Sequence, residues 1–97
     1  MRSRYSAYVL QDAAYLRHTW HVSTRPAVIE FEPRRHWLGL QVQQFVVVAA
    51  GHASVRFVAR SKLAGRAHRL VENSRFVLDA GRWFYLDGEI DGGDPRL

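Results

Sequence analysis

The spacing of apolar residues along the chain changes at Pro33, from a helical repeat to an alternating one. Before this proline, apolar side chains recur every three or four residues, which is typical of short amphipathic helices. A first helix is predicted from the apolar set Met1, Tyr5, Tyr8 and Val9, and a second from Ala13, Leu16 and Trp20. Asp12 is placed to cap the second helix, because its side chain can accept a hydrogen bond from a free backbone N–H.

A third, short helix is predicted between this pair and Pro33. Ser23 or Thr24 can cap it, and Pro26 lies in its first turn, where a missing N–H costs nothing. Its apolar residues are Val28, Ile29 and Phe31. Pro33 is expected to end it, because the residue before a proline avoids helical angles.

After Pro33, apolar and polar residues alternate, which is typical of half-buried strands. Four strands are predicted, with turns at 50–52, 62–66 and 79–81 between them, and Asp87-Gly88 is expected to stop the last one after residues 82–86. Short helices followed by strands that meander back and forth indicate an α+β domain. The helices are expected to lie on one face of a curved four-stranded antiparallel sheet, lining a cone-shaped interior.

The length of 97 residues indicates a single domain, predicted over 1–90, with a polar tail over 91–97. The outer sheet face would then be open to water or to a second copy, and its candidates for a homodimer contact are Val47, Val58 and Val77.

The chain has no cysteine. No apolar run approaches the roughly 20 residues of a membrane helix, and no secretory signal is visible. A cytoplasmic protein with no membrane contact is therefore expected.

The net charge of +5 is unevenly distributed, since no acidic residue lies between Glu32 and Glu72. The basic residues of this stretch suggest a basic face formed by Arg56, Arg60, Lys62, Arg66 and Arg69. Such a face could meet phosphate or an acidic protein, or could simply be solvated. Nucleic acid is disfavoured, because the chain lacks the combined aromatic and basic motifs of RNA-binding modules.

Glu72 is the residue whose position is least expected for a charge. Strand alternation places it on one face with Leu70, Ser74, Phe76 and Leu78, the more apolar face of its strand. A buried carboxylate must find a cation or several donors, or stay protonated. We therefore expect Glu72 to meet Arg4 or Arg25 in the interior. The contact would be either a structural ion pair or part of a working pocket.

A pocket is expected around this carboxylate, near the junction of the second and third helices. Its candidate residues are Arg4, Tyr8, Trp20, His21, Arg25, Trp37, Glu72, Ser74, Trp83 and Tyr85. Three of them could serve in catalysis: His21 as acid or base, Glu72 as its orienting carboxylate, and Tyr85 as a donor. The alternative for His21 is a loop imidazole that only holds the turn. No metal site or cofactor is expected, because cysteine, HExxH-like spacing, a phosphate loop and a nucleophile elbow are all missing.

Six short segments in this order resemble YchJ-type bacterial proteins over residues 1–88. They are Arg2-Ser3-Arg4-Tyr5-Ser6-Ala7-Tyr8, Tyr15-Leu16 with Thr19-Trp20-His21 and Ser23, Trp37-Leu38-Gly39-Leu40, Phe57-Val58-Ala59-Arg60, Glu72 with Ser74-Arg75-Phe76, and Gly81-Arg82-Trp83 through Tyr85 to Asp87-Gly88. The resemblance implies a nuclear transport factor 2-like domain in a largely uncharacterised family.

Members of this family commonly carry a cysteine-rich, zinc-binding SEC-C segment beside the domain. Gly93-Asp94-Pro95 resembles the approach to such a segment, but the zinc ligands are not present in this sequence. Two residues depart from the family pattern. Val22 stands where a proline usually follows Trp-His, and Asn73 replaces an arginine between Glu72 and Ser74.

Three functions remain open from the sequence. The first is a non-catalytic binding or interaction module with a small internal pocket for an unknown small molecule or protein. The second is an isomerase- or dehydratase-type enzyme that uses His21 and Glu72 for proton transfer. The third is an adaptor that binds nucleic acid or an acidic protein through its basic face.

Overall fold

The computed structural model describes residues 2–93 of the chain. Helices α1 (Arg2–Val9) and α2 (Ala13–His18) precede four strands, β1 (His36–Ala49), β2 (His52–Leu63), β3 (Arg66–Asp79) and β4 (Arg82–Gly93). The strands form one antiparallel sheet in the order β1-β2-β3-β4. The α+β fold class predicted from the sequence, with N-terminal helices and a four-stranded antiparallel sheet, is confirmed.

Helix α2 begins at the cap that the sequence predicts. The Asp12 side chain accepts a hydrogen bond from the Tyr15 backbone N–H at 3.0 Å. Leu16 is completely buried, and Arg4 and Ala7 are the buried residues of α1. The two helices therefore direct one arginine, rather than only apolar side chains, toward the sheet.

The predicted third helix is wrong, because residues 19–35 contain turns and extended backbone but no helix. This segment starts by pairing with β4 in parallel orientation, through a bridge between Trp20 and Tyr85. The Tyr85 N–H donates to the Thr19 carbonyl, and the His21 N–H donates to the Tyr85 carbonyl, each at 2.7 Å. The start of this segment is thus bound to the edge of β4 by backbone hydrogen bonds.

The helix-facing side of the sheet contains the core. Phe57, Ala59 and Leu70 form its buried centre, and Tyr5, Trp37 and Leu40 pack against it. Glu72 pairs in register with Phe57 on β2 and with Ile90 on β4. Because paired residues in an antiparallel ladder share a face, Glu72 lies on the helix-facing side, as the strand pattern predicts.

Strand β4 is longer than predicted, because it passes through Asp87-Gly88 and runs to Gly93. Its register with β3 shifts between Arg75 and Phe76, which accommodates an extra residue in β4. Gly88 follows this shift and pairs with Ser74, so it acts as a strand residue and not as a stop. The predicted polar tail therefore overlaps β4 at residues 91–93, and its remainder, 94–97, lies outside the described residues.

The three valines predicted to form a homodimer contact on the outer face of the sheet are not exposed together there. Val58 has no exposed surface, and Val77 is only half-buried. Val47 pairs with Ala53, which places it on the helix-facing side, where it remains exposed. The three valines therefore do not form one open outer patch. Within the part of the chain that the structure describes, no helix is long and apolar enough to cross a membrane.

Candidate functional site

A cavity of about 90 Å³ lies between α1 and the helix-facing side of the sheet. Its lining residues are Arg4, Tyr5, Tyr8, Trp37, Phe57, Ala59, Leu70, Glu72 and Tyr85. The walls are mainly aromatic and aliphatic. Four of the lining residues carry polar groups that are close enough to shift one another's pKa. They are Arg4, Tyr8, Glu72 and Tyr85, called here the polar cluster.

Arg4 is the most deeply buried member of the polar cluster, with 3% of its surface exposed. Its Nη1 donates to the Leu16 carbonyl at 3.0 Å and to the Thr19 hydroxyl at 2.5 Å. The guanidinium carbon lies 4.5 Å from the centre of the Tyr85 ring and 5.2 Å from that of Trp20. Burial lowers the pKa of Arg4, and the neighbouring Tyr8 opposes that shift. Arginine nevertheless stays charged in proteins, so the cavity contains a fixed cation.

Glu72 is the acidic member of the polar cluster, and it is partly buried. Its Oε2 accepts a hydrogen bond from the Ser74 hydroxyl at 2.5 Å. Burial raises the pKa of Glu72, and this effect outweighs the hydrogen bond from Ser74 and the attraction of Arg4, which both lower it. The carboxyl group therefore takes up a proton more readily than an exposed glutamate does.

Glu72 meets Arg4 in the interior only as a co-lining residue of the cavity, and the direct ion pair predicted with Arg4 or Arg25 does not form. Among the described residues, Glu72 forms no ion pair with either arginine. Arg4 instead binds the C-terminal end of α2, and the Arg25 Nε donates to the Trp20 carbonyl at 3.2 Å. The free carbonyls at a helix end compete well for a guanidinium, because no backbone donor satisfies them.

Gly88 makes room for the Glu72 carboxyl group. A Cβ atom at this position would lie 2.7 Å from both Cδ and Oε2 of Glu72, well inside van der Waals contact. A glycine inside a strand often marks such a close approach. Sequence reasoning missed this role, because Asp87-Gly88 has the composition of a turn.

The two tyrosines of the polar cluster are packed into the aromatic wall. Tyr8 makes edge contacts with Phe31, and its ring is tilted against Trp37. Tyr85 makes edge contacts with Trp20 and Phe76. Burial raises the pKa of both tyrosines, and the nearby Glu72 raises it further. Both hydroxyls therefore remain protonated and can donate hydrogen bonds within the cavity.

His21 does not reach this cavity. Its ring packs against Phe84, which the β3–β4 register places on the outer face. The Ser23 N–H and hydroxyl contact its Nδ1, at 3.2 and 2.7 Å, while Nε2 lies 3.1 Å from an Asp79 carboxylate oxygen. Because a backbone N–H can only donate, Nδ1 accepts and Nε2 carries the proton toward Asp79.

The expected pairing of His21 with Glu72 is therefore wrong. Trp20 and His21 are consecutive residues along an extended backbone bridge, so their side chains point to opposite sides of it. Trp20 turns inward onto Tyr85, and His21 turns outward. The hydrogen bonds of His21 hold the turn after α2, as in the loop-imidazole alternative.

The other expected pocket residues divide between the cavity and its surroundings. Trp37 lines the cavity directly, and Ser74 is completely buried below Glu72. Trp83 instead lines a separate open groove of about 290 Å³, which also contacts Arg4. The cavity residues that sequence reasoning missed are Tyr5, Phe57, Ala59 and Leu70. Their only signal is membership of the apolar faces of α1, β2 and β3.

Four of the five residues expected to form a basic face lie together on the outer face of the sheet. Arg60 pairs with Arg69 across β2 and β3, and Arg56 and Lys62 lie on the same outer face by strand alternation. Arg66 pairs with Leu63 and belongs to the opposite face, at the hairpin end. Among the side chains that the structure describes, over residues 2–90, no group of three or more histidine, aspartate or glutamate residues is arranged to hold a metal ion.

Comparison with known proteins gives a consistent result. A family model described as "YchJ, middle NTF2-like domain" matches residues 1–88. A UPF0225 protein of Methylibium petroleiphilum is 65% identical over 92 residues, which cover 94% of this chain and 68% of that protein. A UPF0225 protein of Polaromonas naphthalenivorans is 61% identical over 89 residues, covering 92% and 65% of the two chains.

One solved structure is also similar, and its sequence is more distant. The solution structure of a SEC-C motif containing protein from Rhodopseudomonas palustris superposes with a TM-score of 0.80 at 30% identity. The match covers 92% of this chain and 73% of that protein. This chain therefore spans about two thirds to three quarters of the length of the proteins that it resembles.

Proposed function

Because this chain belongs to the family of YchJ middle NTF2-like domains, we propose that it is a small non-catalytic binding module. Its ligand is a small polar molecule that enters the cavity between α1 and the sheet. The observation that carries this proposal is the convergence of four hydrogen-bonding side chains, the polar cluster, on one mainly aromatic cavity. Apolar walls with a few convergent polar groups are the usual composition of a small-molecule site.

The arrangement of Arg4 and Glu72 supports a ligand-binding role for these residues more than a purely structural ion pair. A structural pair would be expected to bring the two charges into direct contact, since a buried charge without a close counter-ion costs free energy. Here the two side chains line one cavity, but Arg4 donates to the Leu16 carbonyl and Glu72 accepts from the Ser74 hydroxyl. A ligand that accepts from Arg4 or a tyrosine hydroxyl and donates to Glu72 would complete the site.

The size and charge of the cavity limit the ligand class. A volume of about 90 Å³ accommodates several water molecules or a ligand of a few non-hydrogen atoms. Arg4 supplies a fixed positive charge, which disfavours a cation, and the Glu72 carboxyl group, whenever it is ionised, disfavours a strong anion. A neutral molecule with one donor and one acceptor, such as a small amide, fits these constraints best.

The alternative of a proton-transfer enzyme is less well supported. That mechanism needs His21 within hydrogen-bond reach of the substrate held by Glu72. His21 is instead bound to Ser23 and Asp79 outside the cavity. The residues that line the cavity include one carboxyl group, that of Glu72, and no histidine to work with it.

A nuclear magnetic resonance titration with acetamide tests the binding proposal. We expect saturable amide shifts at the residues that line the cavity, and weaker binding by Tyr8→Phe, which removes one hydroxyl from the polar cluster. Tyr15→Phe is the matched control, because Tyr15 lies in the separate groove and should leave binding unchanged. Shifts scattered over the surface, or equal affinities for the two variants, would contradict the proposal.

A second variant separates a binding site from a packing defect. Ala59 lines the cavity, so Ala59→Leu adds three carbon atoms to it. If the cavity binds a ligand, this variant folds but loses the acetamide shifts. If the variant is more stable than the parent and the parent itself shows no saturable shifts, the cavity is unfilled core and the proposal fails.

The basic face provides a second candidate function, contact with an acidic partner. Arg60 and Arg69 are exposed and directly opposite each other across β2 and β3. Like charges in this position are destabilising, so an anion between them would relieve the repulsion. Binding to heparin is the test. We expect an affinity that falls steeply with salt and is weakened by Arg69→Gln, and no binding at low salt would end this candidate.

A further inference from the structure

Strand β1 is an edge of the sheet, and its sequence lacks the charged residues and prolines that commonly protect an edge. No lysine, arginine, aspartate, glutamate or proline lies between Arg35 and Arg56, which includes the whole of β1. An edge strand has a row of backbone groups that no strand of its own sheet satisfies. Natural proteins usually protect such edges with charges, prolines, bulges or a covering segment. The pairing of β1 with β2 shifts between Val42 and Gln44 and between Val47 and Ala49, and the segment 44–47 between these shifts is regular and open.

The exposed apolar residues of the sheet are concentrated in the second half of this edge strand. Phe45 is 63% exposed, Val47 is 59% exposed and Val48 is 67% exposed, and Val46 is also open. Phe45 and Val47 belong to the helix-facing side, because they pair with Val55 and Ala53. Val46 pairs with Ser54 on the outer side. Both faces of the edge are therefore apolar and accessible, which is unusual for a surface that contacts only water.

We propose that a second copy of this chain pairs antiparallel with β1 through residues 43–49. The resulting dimer would extend two four-stranded sheets into one of eight strands. The proposed register places Val46 opposite itself on the two-fold axis and Phe45 opposite Val47 of the other copy.

A second copy fits this edge better than an unrelated partner, for two reasons. The segment is uncharged, so pairing it with itself brings no like charges together. In addition, an antiparallel pair of identical strands is two-fold symmetric and self-complementary, which is the commonest interface geometry of homo-oligomers. The aromatic and β-branched pair of Phe45 with Val47 occurs twice in this register, and such cross-strand pairs stabilise a sheet.

The absence of cysteine from the chain allows a direct test of the register. Val46→Cys is expected to form a disulfide-linked dimer on mild oxidation, because directly opposite Cα atoms of an antiparallel pair are about 4.5–5.5 Å apart, within the range that a disulfide spans. Val48→Cys is the matched control. It is more exposed than Val46, at 67% against 38%, but in the proposed register it lies opposite Gln44 and should cross-link much more slowly.

Sedimentation equilibrium of the whole chain tests the dimer itself. We expect a reversible dimer whose dissociation constant rises at least about tenfold in Val47→Lys, because a charge on the edge opposes pairing. Val28→Lys is the control for added charge, since Val28 is 70% exposed and lies outside the sheet. The dimer should persist in this variant.

Several results would overturn the proposal. A chain that remains monomeric at all accessible concentrations excludes the second copy, and would leave the edge to be covered by the additional length found in the relatives. A dimer unaffected by Val47→Lys, or one that Val48→Cys cross-links as fast as Val46→Cys, would show that the copies meet elsewhere or in another register.

Discussion

At the scale of single residues, Gly88 and Glu72 depend on each other. The Glu72 carboxyl group occupies the space above Gly88 that a Cβ atom would need, and Ser74 holds it there. The backbone of Gly88 is not in the left-handed region, so its importance comes from this close approach. The glycine is thus required by a side chain on the neighbouring strand and not by its own backbone conformation.

Gly88→Ala is therefore expected to displace the Glu72 carboxyl group from Ser74. The cost in the free energy of unfolding should be about 1–3 kcal/mol, which combines overpacking with the loss of a buried hydrogen bond. Chemical denaturation followed by circular dichroism measures it. Gly39→Ala is the matched control within a strand, because its Cβ would meet nothing within 4 Å.

A double change tests the physical reason for that cost. If the clash with Glu72 is responsible, Glu72→Ala should remove most of the penalty of Gly88→Ala, since the obstructing carboxyl group is then gone. A penalty that is the same in both backgrounds would show that another contact of Gly88 is involved.

The raised pKa of Glu72 predicts a pH dependence of stability with a definite sign. A raised pKa means that the folded state binds the proton more tightly than the unfolded state, so ionisation of Glu72 destabilises the fold. We expect Glu72→Gln to become more stable relative to the parent as the pH rises above the ordinary glutamate value of 4.5. The advantage should disappear below that value, where both states are protonated.

Thermal unfolding at several pH values measures this difference. Glu30→Gln is the control for the loss of one negative charge, because Glu30 is exposed. If Glu72→Gln loses stability relative to the parent as the pH rises, the ionised carboxylate is the stabilising form. The burial argument for Glu72 would then be incorrect.

At the scale of secondary structure elements, the caps and turns follow local sequence rules. Asp12 caps α2 where the sequence places a cap. The hairpin between β3 and β4 has Ala80 and Gly81 at positive φ, the conformation of a two-residue turn, in the segment predicted to turn. Both features depend on residues within a few positions of one another, so they could be predicted without the fold.

Asp12→Ala is expected to destabilise the protein by about 1 kcal/mol, because the Tyr15 N–H would lose its acceptor at the start of α2. Asp12→Ser should retain most of the stability, since its hydroxyl can accept the same hydrogen bond. Chemical denaturation of the two variants gives the comparison. Equal losses would indicate that the charge of Asp12 matters more than its cap.

The segment after α2 shows where local rules fail. Its residues have the composition of a capped helix with proline in the first turn, yet the Thr24 hydroxyl donates to the Leu86 carbonyl at 2.6 Å. Together with the bridge at Trp20, this contact binds the segment along the edge of β4. An edge strand more than sixty residues away provides these partners, so no window of local sequence could reveal them.

At the scale of the whole molecule, the chain spans only part of the length of the proteins it resembles. The related solution structure is described as containing a SEC-C motif. The described residues of this chain provide no cluster of metal-ligating side chains. The core of these residues is formed where the helices pack on the sheet, around Phe57, Ala59 and Leu70.

We accordingly expect this chain to unfold cooperatively with a midpoint that does not change when EDTA is added. A protein whose fold depends on a structural metal loses stability when the metal is removed, because metal binding is coupled to folding. Calorimetry with and without EDTA, and after addition of zinc, checks this expectation. A midpoint that falls with EDTA and recovers with zinc would contradict it.

The sequence alone determined the fold class, the turns, the cap of α2 and the face on which Glu72 lies. These features follow from residue alternation and from contacts between near neighbours. Only the tertiary structure decided what Glu72 and His21 contact. Arg4 binds the end of α2, His21 turns to the outer face, and Gly88 makes room for a carboxyl group. The partners of a side chain depend on which distant segments the fold brings together, and the sequence pattern of one element does not predict them.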